Sequence, residues 1–261
     1  MKRTIITLVL ITSYIFGFAQ TEAQKFKHDQ LANKNLSAIE LKSQLTKLDF
    51  SSLFTHADNA EVFGFIGDNY QRIRIKFISA FKVASSTDTY LVFGKSMVKN
   101  TICTFRGTLK ISNIRKFKST SYGVDGIYKN KGIMGEYTML GEYNLPENMD
   151  QKNSGVFNGV FQTNFYIDKY DQVKYDDIDL NADGYSNNQF VGQWNSYRSM
   201  LMKKCNWGDY RVPNPGDLDI GAGEFSPADK YLKFGWQSLR DLAVSQNNKI
   251  AKNTEEDRWW K

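Results

Sequence analysis

The chain has little histidine, cysteine or proline. The low number of each residue limits which kinds of site and fold the protein can have. Its 261 residues include two His, two Cys and four Pro. A zinc site takes several nitrogen or sulfur ligands, and two separate histidines with two separate cysteines show no recognisable zinc spacing. Scarce proline together with 14% aromatic residues is typical of an ordered, packed chain rather than a disordered one. The sequence therefore predicts a folded protein without a zinc centre.

Long apolar runs are also lacking, except at the start of the chain. Lys2 and Arg3 precede an apolar segment at residues 5–10 that continues to Phe18, and small residues, Gly17 and Ala19, lie before Gln20. This layout of a charged start, a short apolar core and a cleavage site with small residues is typical of a secretory signal peptide. The apolar segment is shorter than the about 20 residues that a transmembrane helix needs. We expect residues 1–19 to be removed and the protein to be exported to the periplasm or the extracellular space.

No later stretch of the sequence is apolar enough to cross a membrane, so the mature chain is expected to have no transmembrane segment. Removing 19 of 261 residues leaves 242, which suits one large β domain. The domain organisation is predicted as a signal peptide (1–19), an N-terminal helical cap (20–60), a β-barrel-like domain (61–225) and a C-terminal helix with a tail (226–261).

Alternating polar and apolar residues predict strands from Glu61 onward. In residues 72–77, Ile73, Ile75 and Phe77 alternate with cations, which places the three apolar side chains on the core face. Further strands are predicted at 62–66, 90–98, 101–111, 132–143, 155–167 and 189–197. Neighbouring strands joined by short turns predict a mainly β fold in which an antiparallel meander forms a barrel or a strongly curled sheet.

A glycine stands two residues before an aromatic residue at five places in these strands. Glycine in a strand permits close approach or sharp bending, and a ring on a neighbouring strand can cover the gap. The five pairs are Gly135/Tyr137, Gly141/Tyr143, Gly155/Phe157, Gly159/Phe161 and Gly192/Trp194. This pattern resembles the up-and-down barrels of lipocalins and avidins over residues 61–197, although Trp194 comes late for the lipocalin Gly-x-Trp element. The leader and the high Asn, Lys and Tyr content resemble exported proteins of Bacteroides-type bacteria.

Two amphipathic helices are predicted to pack on the β body. Ser37 and Glu40 have capping-box spacing, and Leu41, Leu45 and Leu48 follow on one stripe, which predicts a helix over residues 38–48. Near the C-terminus, an N-cap and a proline at residues 226–227 predict a helix to about residue 244, in which Gly235 is unfavourable.

The two cysteines leave two alternatives open. In an oxidising compartment Cys103 and Cys205 can form a single disulfide. Buried free thiols are the other alternative. Cys103 shares an apolar strand face with Phe105 and Leu109, so its role is expected to be structural rather than nucleophilic.

The most specific site signal is an acidic loop. Oxygen ligands at alternating positions followed by Gly184 resemble the opening of an EF-hand calcium loop, but Phe190 stands where that family has its bidentate glutamate. The resemblance implies calcium as a structural ion. Its ligands would be Asp177, Asp179, Asn181 and Asp183. A hydrated turn that binds nothing is the alternative.

Aromatic and acidic residues supply two further candidate sites. Trp194, Tyr197, Trp207 and Tyr210 are close in sequence and form a candidate ligand-binding group, with core packing as the alternative. Asp217, Asp219 and Glu224 lie in a glycine-rich stretch, and paired carboxylates can cleave glycosides where folding sets their separation. Turn formation is the simpler explanation of that stretch.

Charge is unevenly distributed along the chain. The formal charge is +6, of which Lys2 and Arg3 contribute +2, so +4 remains after cleavage. Residues 95–131 contain nine basic residues and one acid, whereas residues 168–188 contain six aspartates and two lysines. A basic segment attracts anionic partners such as a glycan or a lipid head group. Export argues against nucleic acid.

These features together predict an exported, non-catalytic β protein that binds a ligand or an envelope component. The first alternative is a secreted glycan-active hydrolase that uses Asp217, Asp219 or Glu224. The second alternative is an assembly factor that binds another protein through an exposed apolar patch or a sheet edge.

Overall fold

The computed structural model describes residues 20–261, and the predicted signal peptide lies outside these residues. The predicted mainly β fold is confirmed. Nine strands form one antiparallel sheet. The strands are β1 (Val62–Ile66), β2 (Gln71–Lys82), β3 (Thr89–Val98), β4 (Thr101–Lys116), β5 (Ile133–Pro146), β6 (Gly155–Asp168), β7 (Val173–Tyr175), β8 (Asn187–Ser196) and β9 (Met202–Asp209).

The sheet closes into a ring because β9 pairs with β1 and β5 pairs with β6. Every neighbour in the ring is also a neighbour along the chain, apart from the pairing of β6 with β8 and the closing pair itself. The short strand β7 extends the sheet beside the end of β6, next to residues that β8 does not reach. The predicted antiparallel meander is thus an up-and-down barrel.

Glycines let the sheet bend where large rings fill the interior. Gly141 lies opposite Phe161, and a Cβ on Gly141 would come within 2.4 Å of the Phe161 ring. Gly159 and Gly192 face each other, and the hydroxyl of Tyr143 lies over both. The sequence prediction that neighbouring rings cover strand glycines is confirmed at these positions.

Strand β9, which completes the ring, is not among the strands predicted from the sequence. Its sequence carries adjacent lysines, Lys203 and Lys204, and no alternation of polar and apolar residues. Its pairings with β1 and β8 nevertheless bury its second half, including Cys205 and Trp207. Pairing with β1 and β8, rather than a local sequence pattern, therefore determines that this segment forms a strand.

The predicted helix over residues 38–48 is wrong in extent. Only α2 (Lys42–Leu45) is helical there, while α1 (Glu22–Leu31) precedes it. The carboxylate of Glu40 accepts hydrogen bonds from the Ile114 amide and the Asn113 side chain, both at 2.7 Å. It also accepts from the Lys42 amide at 3.1 Å, so it joins the start of this short helix to β4. Leu45 and its neighbours still pack against the barrel core, as the apolar stripe predicts.

The single C-terminal helix predicted to residue 244 is also wrong. A 3₁₀ segment (Asp229–Phe234) ends at Gly235, whose φ of 100° is unfavourable for other residues and stops the helix. Two short helices follow, α3 (Gln237–Val244) and α4 (Lys249–Glu256). Trp259 is buried near the chain end.

The outer wall of the barrel is covered in two places. Helix α1 packs Phe26 against Val160 and Val191. The C-terminal segments pack Trp236 against Phe63 and Phe65. The outer face of β2–β4, around Phe81 and Leu91, remains exposed. Among residues 20–261 no helix combines the length and apolar character that a membrane crossing needs.

Candidate functional site

Aromatic side chains fill the interior of the barrel. Trp207 stacks on Phe190 with ring centroids 4.8 Å apart, and Tyr143 and Phe157 pack edge-on against Trp207. The cavity beside Phe77 and Trp207 measures about 20 Å³, which is room for about one water molecule. A ligand site is therefore better sought outside the ring.

The 3₁₀ segment Ser51–Thr55 closes one end of the barrel. Phe50 and Phe54 enter the interior and contact Tyr90, Phe161 and Phe165. A polar cluster lies next to this segment, in which the Asp209 carboxylate accepts hydrogen bonds from Tyr175 at 2.9 Å and from Asn188 at 2.7 Å. Burial raises the pKa of Asp209 to about 7. This cluster anchors the segment, because Asn188 also donates to the Leu53 carbonyl.

A second buried carboxylate, Glu147, closes the opposite end. It accepts hydrogen bonds from Ser96, from the Gly155 amide at 2.9 Å and from the Trp194 indole at 2.9 Å. Burial raises the pKa of Glu147. The Trp194 side chain is thus part of a structural network.

The four predicted ligand-binding aromatics therefore occupy four different environments. Trp207 lies in the core, Trp194 is buried against Glu147, and Tyr197 is half-buried at the end where β8 turns toward β9. Only Tyr210, just past the end of β9, lines a large concave surface.

This surface, here named the outer cleft, lies between the start of β1, the acidic loop and the C-terminal helices. It has a volume of about 710 Å³, within the range typical of small-molecule sites. The side chains most relevant to binding are Glu61, Tyr185, Tyr210, Glu224 and Arg240.

The backbone directs Tyr210 into the outer cleft. Tyr210 has a φ of 64°, in the left-handed region, and its amide donates to the Glu61 carbonyl at 2.7 Å. Its ring meets that of Tyr185 edge-on, with centroids 5.1 Å apart. Non-glycine residues in this conformation are costly, and Tyr210 is one of seven of them in the described part of the chain.

Glu61 and Glu224 line the outer cleft together with two further carboxylates, Glu255 and Glu256. Burial raises the pKa of Glu61, and the charges of Asp58 and Glu224 raise it further. Burial and the Glu61 charge likewise raise the pKa of Tyr210. The cleft thus combines half-buried rings with hydrogen-bonding groups.

The predicted catalytic carboxylates do not all reach this cleft. Asp217 is exposed and bonds to Lys230 and Tyr231. Asp219 is buried and pairs with the Arg211 guanidinium at 2.7 Å, while it accepts from the Gly221 and Ser226 amides. Only Glu224 of the three lines the outer cleft.

The acidic loop is held by hydrogen bonds to the segment between β4 and β5. Asp177 accepts from the Tyr128 hydroxyl at 3.1 Å, and Asp179 accepts from Ser121 at 2.8 Å. Asn181 and Asp183, the other proposed ligands, are exposed. Within residues 20–261 no group of three His, Cys, Asp or Glu side chains is placed to hold a metal ion. Calcium binding stays a prediction from the sequence.

Both cysteines are buried free thiols, which is the second of the two alternatives. Cys205 lies opposite Ile66 and Gly192, and Cys103 lies opposite Ser96. Burial raises the pKa of Cys103 to about 11 and raises that of Cys205 as well. Neither thiol has the low pKa of a nucleophile.

Sequence reasoning missed Glu61 and Tyr185 as site residues. Glu61 precedes a strand and Tyr185 follows the acidic loop, and no local motif joins them. No protein-family model, no curated protein and no solved structure matches this chain.

Proposed function

We propose that this is an exported, non-catalytic protein that binds a carbohydrate in the outer cleft. The observation that carries the proposal is the Tyr185–Tyr210 pair beside Glu61 and Glu224 in one concave surface. Aromatic rings offer apolar faces to the C–H face of a sugar. Carboxylates and guanidinium groups offer hydrogen bonds to its hydroxyls.

The filled interior supports an external site over an internal one. A ligand inside the barrel would have to displace rings such as Phe190 and Trp207, which are almost fully buried. Displacing such rings forfeits several kcal/mol of packing, about 3–5 kcal/mol for one Phe or Trp. The outer cleft accepts a ligand without that cost.

Isothermal titration with a panel of neutral and acidic oligosaccharides tests the proposal. We expect Tyr210→Ala to weaken the binding of the best ligand about five- to ten-fold, because the loss of about 1 to 1.4 kcal/mol of ring contact corresponds to that change in Kd. Tyr170→Ala is the matched control, since Tyr170 is 70% exposed and does not line the outer cleft. Absence of binding across the panel, or unchanged affinity in Tyr210→Ala, would contradict the proposal.

A glycan-active hydrolase is the second candidate function. Glu61 and Glu224 favour it because they line one cleft and Glu61 has a raised pKa, as a general acid needs. The sequence hypothesis named Asp217, Asp219 and Glu224, and of these three only Glu224 lines the cleft. Oligosaccharide turnover that Glu61→Gln abolishes, with binding retained, would establish this function in place of simple binding.

Export and calcium are separate parts of the proposal. Export rests on residues 1–19, and cell fractionation with N-terminal sequencing tests it; an intact N-terminus on cytosolic protein would contradict it. Calcium rests on the acidic loop, and thermal unfolding with calcium or a chelator tests it. No shift in the unfolding midpoint would contradict a structural calcium ion.

A further inference from the structure

We propose that the bare outer face of β2–β4 docks on a bilayer that contains anionic lipids. The contact surface, here named the apolar patch, consists of Ile78, Phe81, Leu91 and Phe93. Phe81 is 65% exposed and Leu91 is 53% exposed. A contiguous exposed group of this kind marks an interaction site.

The strand register brings the apolar patch together. Phe81 is the direct cross-strand partner of Leu91, and Phe93 lies two residues further along β3 opposite Ser79. The register shifts between Phe77 and Ser79, so that Phe77 packs inward while Ile78 is exposed. This bulge adds one apolar side chain to the outer surface.

A shallow groove of about 450 Å³ runs along the apolar patch. It continues from Phe81 and Leu91 to Arg106, Thr108 and Pro146 across β4 and β5. Neither α1 nor the C-terminal helices, which pack elsewhere on the barrel, cover this groove. The chain's own described segments thus leave it open.

The charge of these strands identifies the partner. Strands β2, β3 and β4 contain nine lysines and arginines and no aspartate or glutamate. Arg72 and Arg74 are buried against Glu255 and add no surface charge, so the charge of this face comes from the cations beside the apolar patch. The Arg106 guanidinium lies over the Phe93 ring at 5.6 Å from its centroid, and Lys110 is exposed on the same face. Apolar side chains framed by cations match the acyl boundary and the negative head groups of an anionic membrane.

Co-sedimentation with lipid vesicles tests this inference. We expect the protein to bind vesicles of equal parts phosphatidylglycerol and phosphatidylcholine, and not vesicles of phosphatidylcholine alone. Binding is expected to weaken between about 0.1 M and about 1 M salt, because the screening length falls from about 10 Å to about 3 Å. Inorganic phosphate is then added in place of part of the salt, so that the ionic strength stays constant. We expect it not to displace the protein from the vesicles, which distinguishes a bilayer from a free phosphate ion as the ligand.

Variants separate the apolar and the cationic contributions. We expect the double variant Phe81→Ser/Leu91→Ser to lower vesicle binding at least about ten-fold, since both positions lose the apolar area that they would bury in the bilayer. Arg106→Gln/Lys110→Gln is expected to remove the preference for phosphatidylglycerol. Val124→Ser/Met149→Ser is the matched control, because both residues are similarly exposed but lie in loops.

Two results would overturn the inference. One is an absence of binding to anionic vesicles, or binding that Phe81→Ser/Leu91→Ser leaves unchanged while circular dichroism shows a folded protein. The other is a concentration-dependent dimer, detected by light scattering, that the same double variant abolishes, because the apolar patch would then join two copies of the chain. Neither result depends on sugar binding in the outer cleft.

Discussion

The barrel interior and the outer cleft use the same kinds of side chain in opposite ways. Trp207 and Tyr210 are three residues apart, yet Trp207 is 2% exposed in the core whereas Tyr210 is half-buried in the cleft. Inside the ring, aromatic faces contact one another and leave space for about one water. In the cleft, the rings border carboxylates and solvent. An aromatic residue therefore indicates binding only where the fold leaves one of its faces free.

The largest expected effect lies in the interior. We expect Trp207→Ala to lower the free energy of unfolding by about 3–5 kcal/mol, because it leaves a cavity among packed rings. Urea denaturation measures this loss. A loss below about 1 kcal/mol would show that the interior is loosely packed. The proposed difference between packed aromatics in the interior and accessible aromatics in the cleft would then be wrong.

Buried charge, rather than apolar packing alone, holds the C-terminal helices that border the cleft. Glu255 pairs with Arg72 at 2.8 Å and 2.5 Å and with Arg74 at 3.4 Å, and all three residues are buried. We expect Glu255→Ala to cost about 3–5 kcal/mol of unfolding free energy, since two buried cations lose their partner.

Its neighbour provides the control for this change. Glu256 is exposed and lies 3.7 Å from Lys252. Glu256→Ala is therefore expected to cost less than about 0.5 kcal/mol in the same urea experiment. Equal losses in the two variants would show that the buried pair does not hold the helices.

A pH effect of intermediate size is expected from Asp209. Its folded-state pKa of about 7 lies above the ordinary value of 3.8 because of burial. The folded state thus holds a proton that the unfolded state releases, so stability falls as pH rises from about 4 to 7, by at most about 1.4 kcal/mol per pH unit. Asp209→Asn is expected to flatten this slope in urea denaturation.

The flattening is expected to be partial. Burial also raises the pKa of Glu136 to about 7 and that of Asp176 to about 6, and both act in the same direction. A slope that Asp209→Asn leaves unchanged would place the buried proton on another group.

The smallest stability effect is expected in the cleft. Tyr210→Gly and Tyr210→Ala both remove the ring, but only glycine adopts a φ of 64° freely. We expect the glycine variant to be more stable than the alanine variant by up to about 1 kcal/mol, and both to lose affinity for the oligosaccharide. A glycine variant less stable than alanine would argue against backbone strain at this position.

The strands with clear alternation were predictable, and their observed bounds differ from the predicted ones by at most five residues. Ile73 and Ile75 point inward as expected. The glycine–aromatic pattern also predicted contacts that the structure contains, such as the Phe161 ring over Gly141. These features depend on neighbours along one strand or on adjacent strands, and such contacts leave a local pattern.

Features that depend on distant partners were not predictable. Glu40 has capping-box spacing, but its carboxylate bonds to β4, so the expected helix is reduced to one turn. Strand β9 lacks alternation and forms through its pairing with β1 and β8. The outer cleft joins Glu61 to Glu224 across most of the chain.

By itself, the sequence determined the mainly β class and the meander, because alternation, turns and strand glycines act between neighbours. Tertiary structure alone decided which aromatics fill the ring, which carboxylate meets Tyr210 and which outer face stays bare. These outcomes depend on ring closure, which brings β1 beside β9 and selects the inner and outer side of every strand at once.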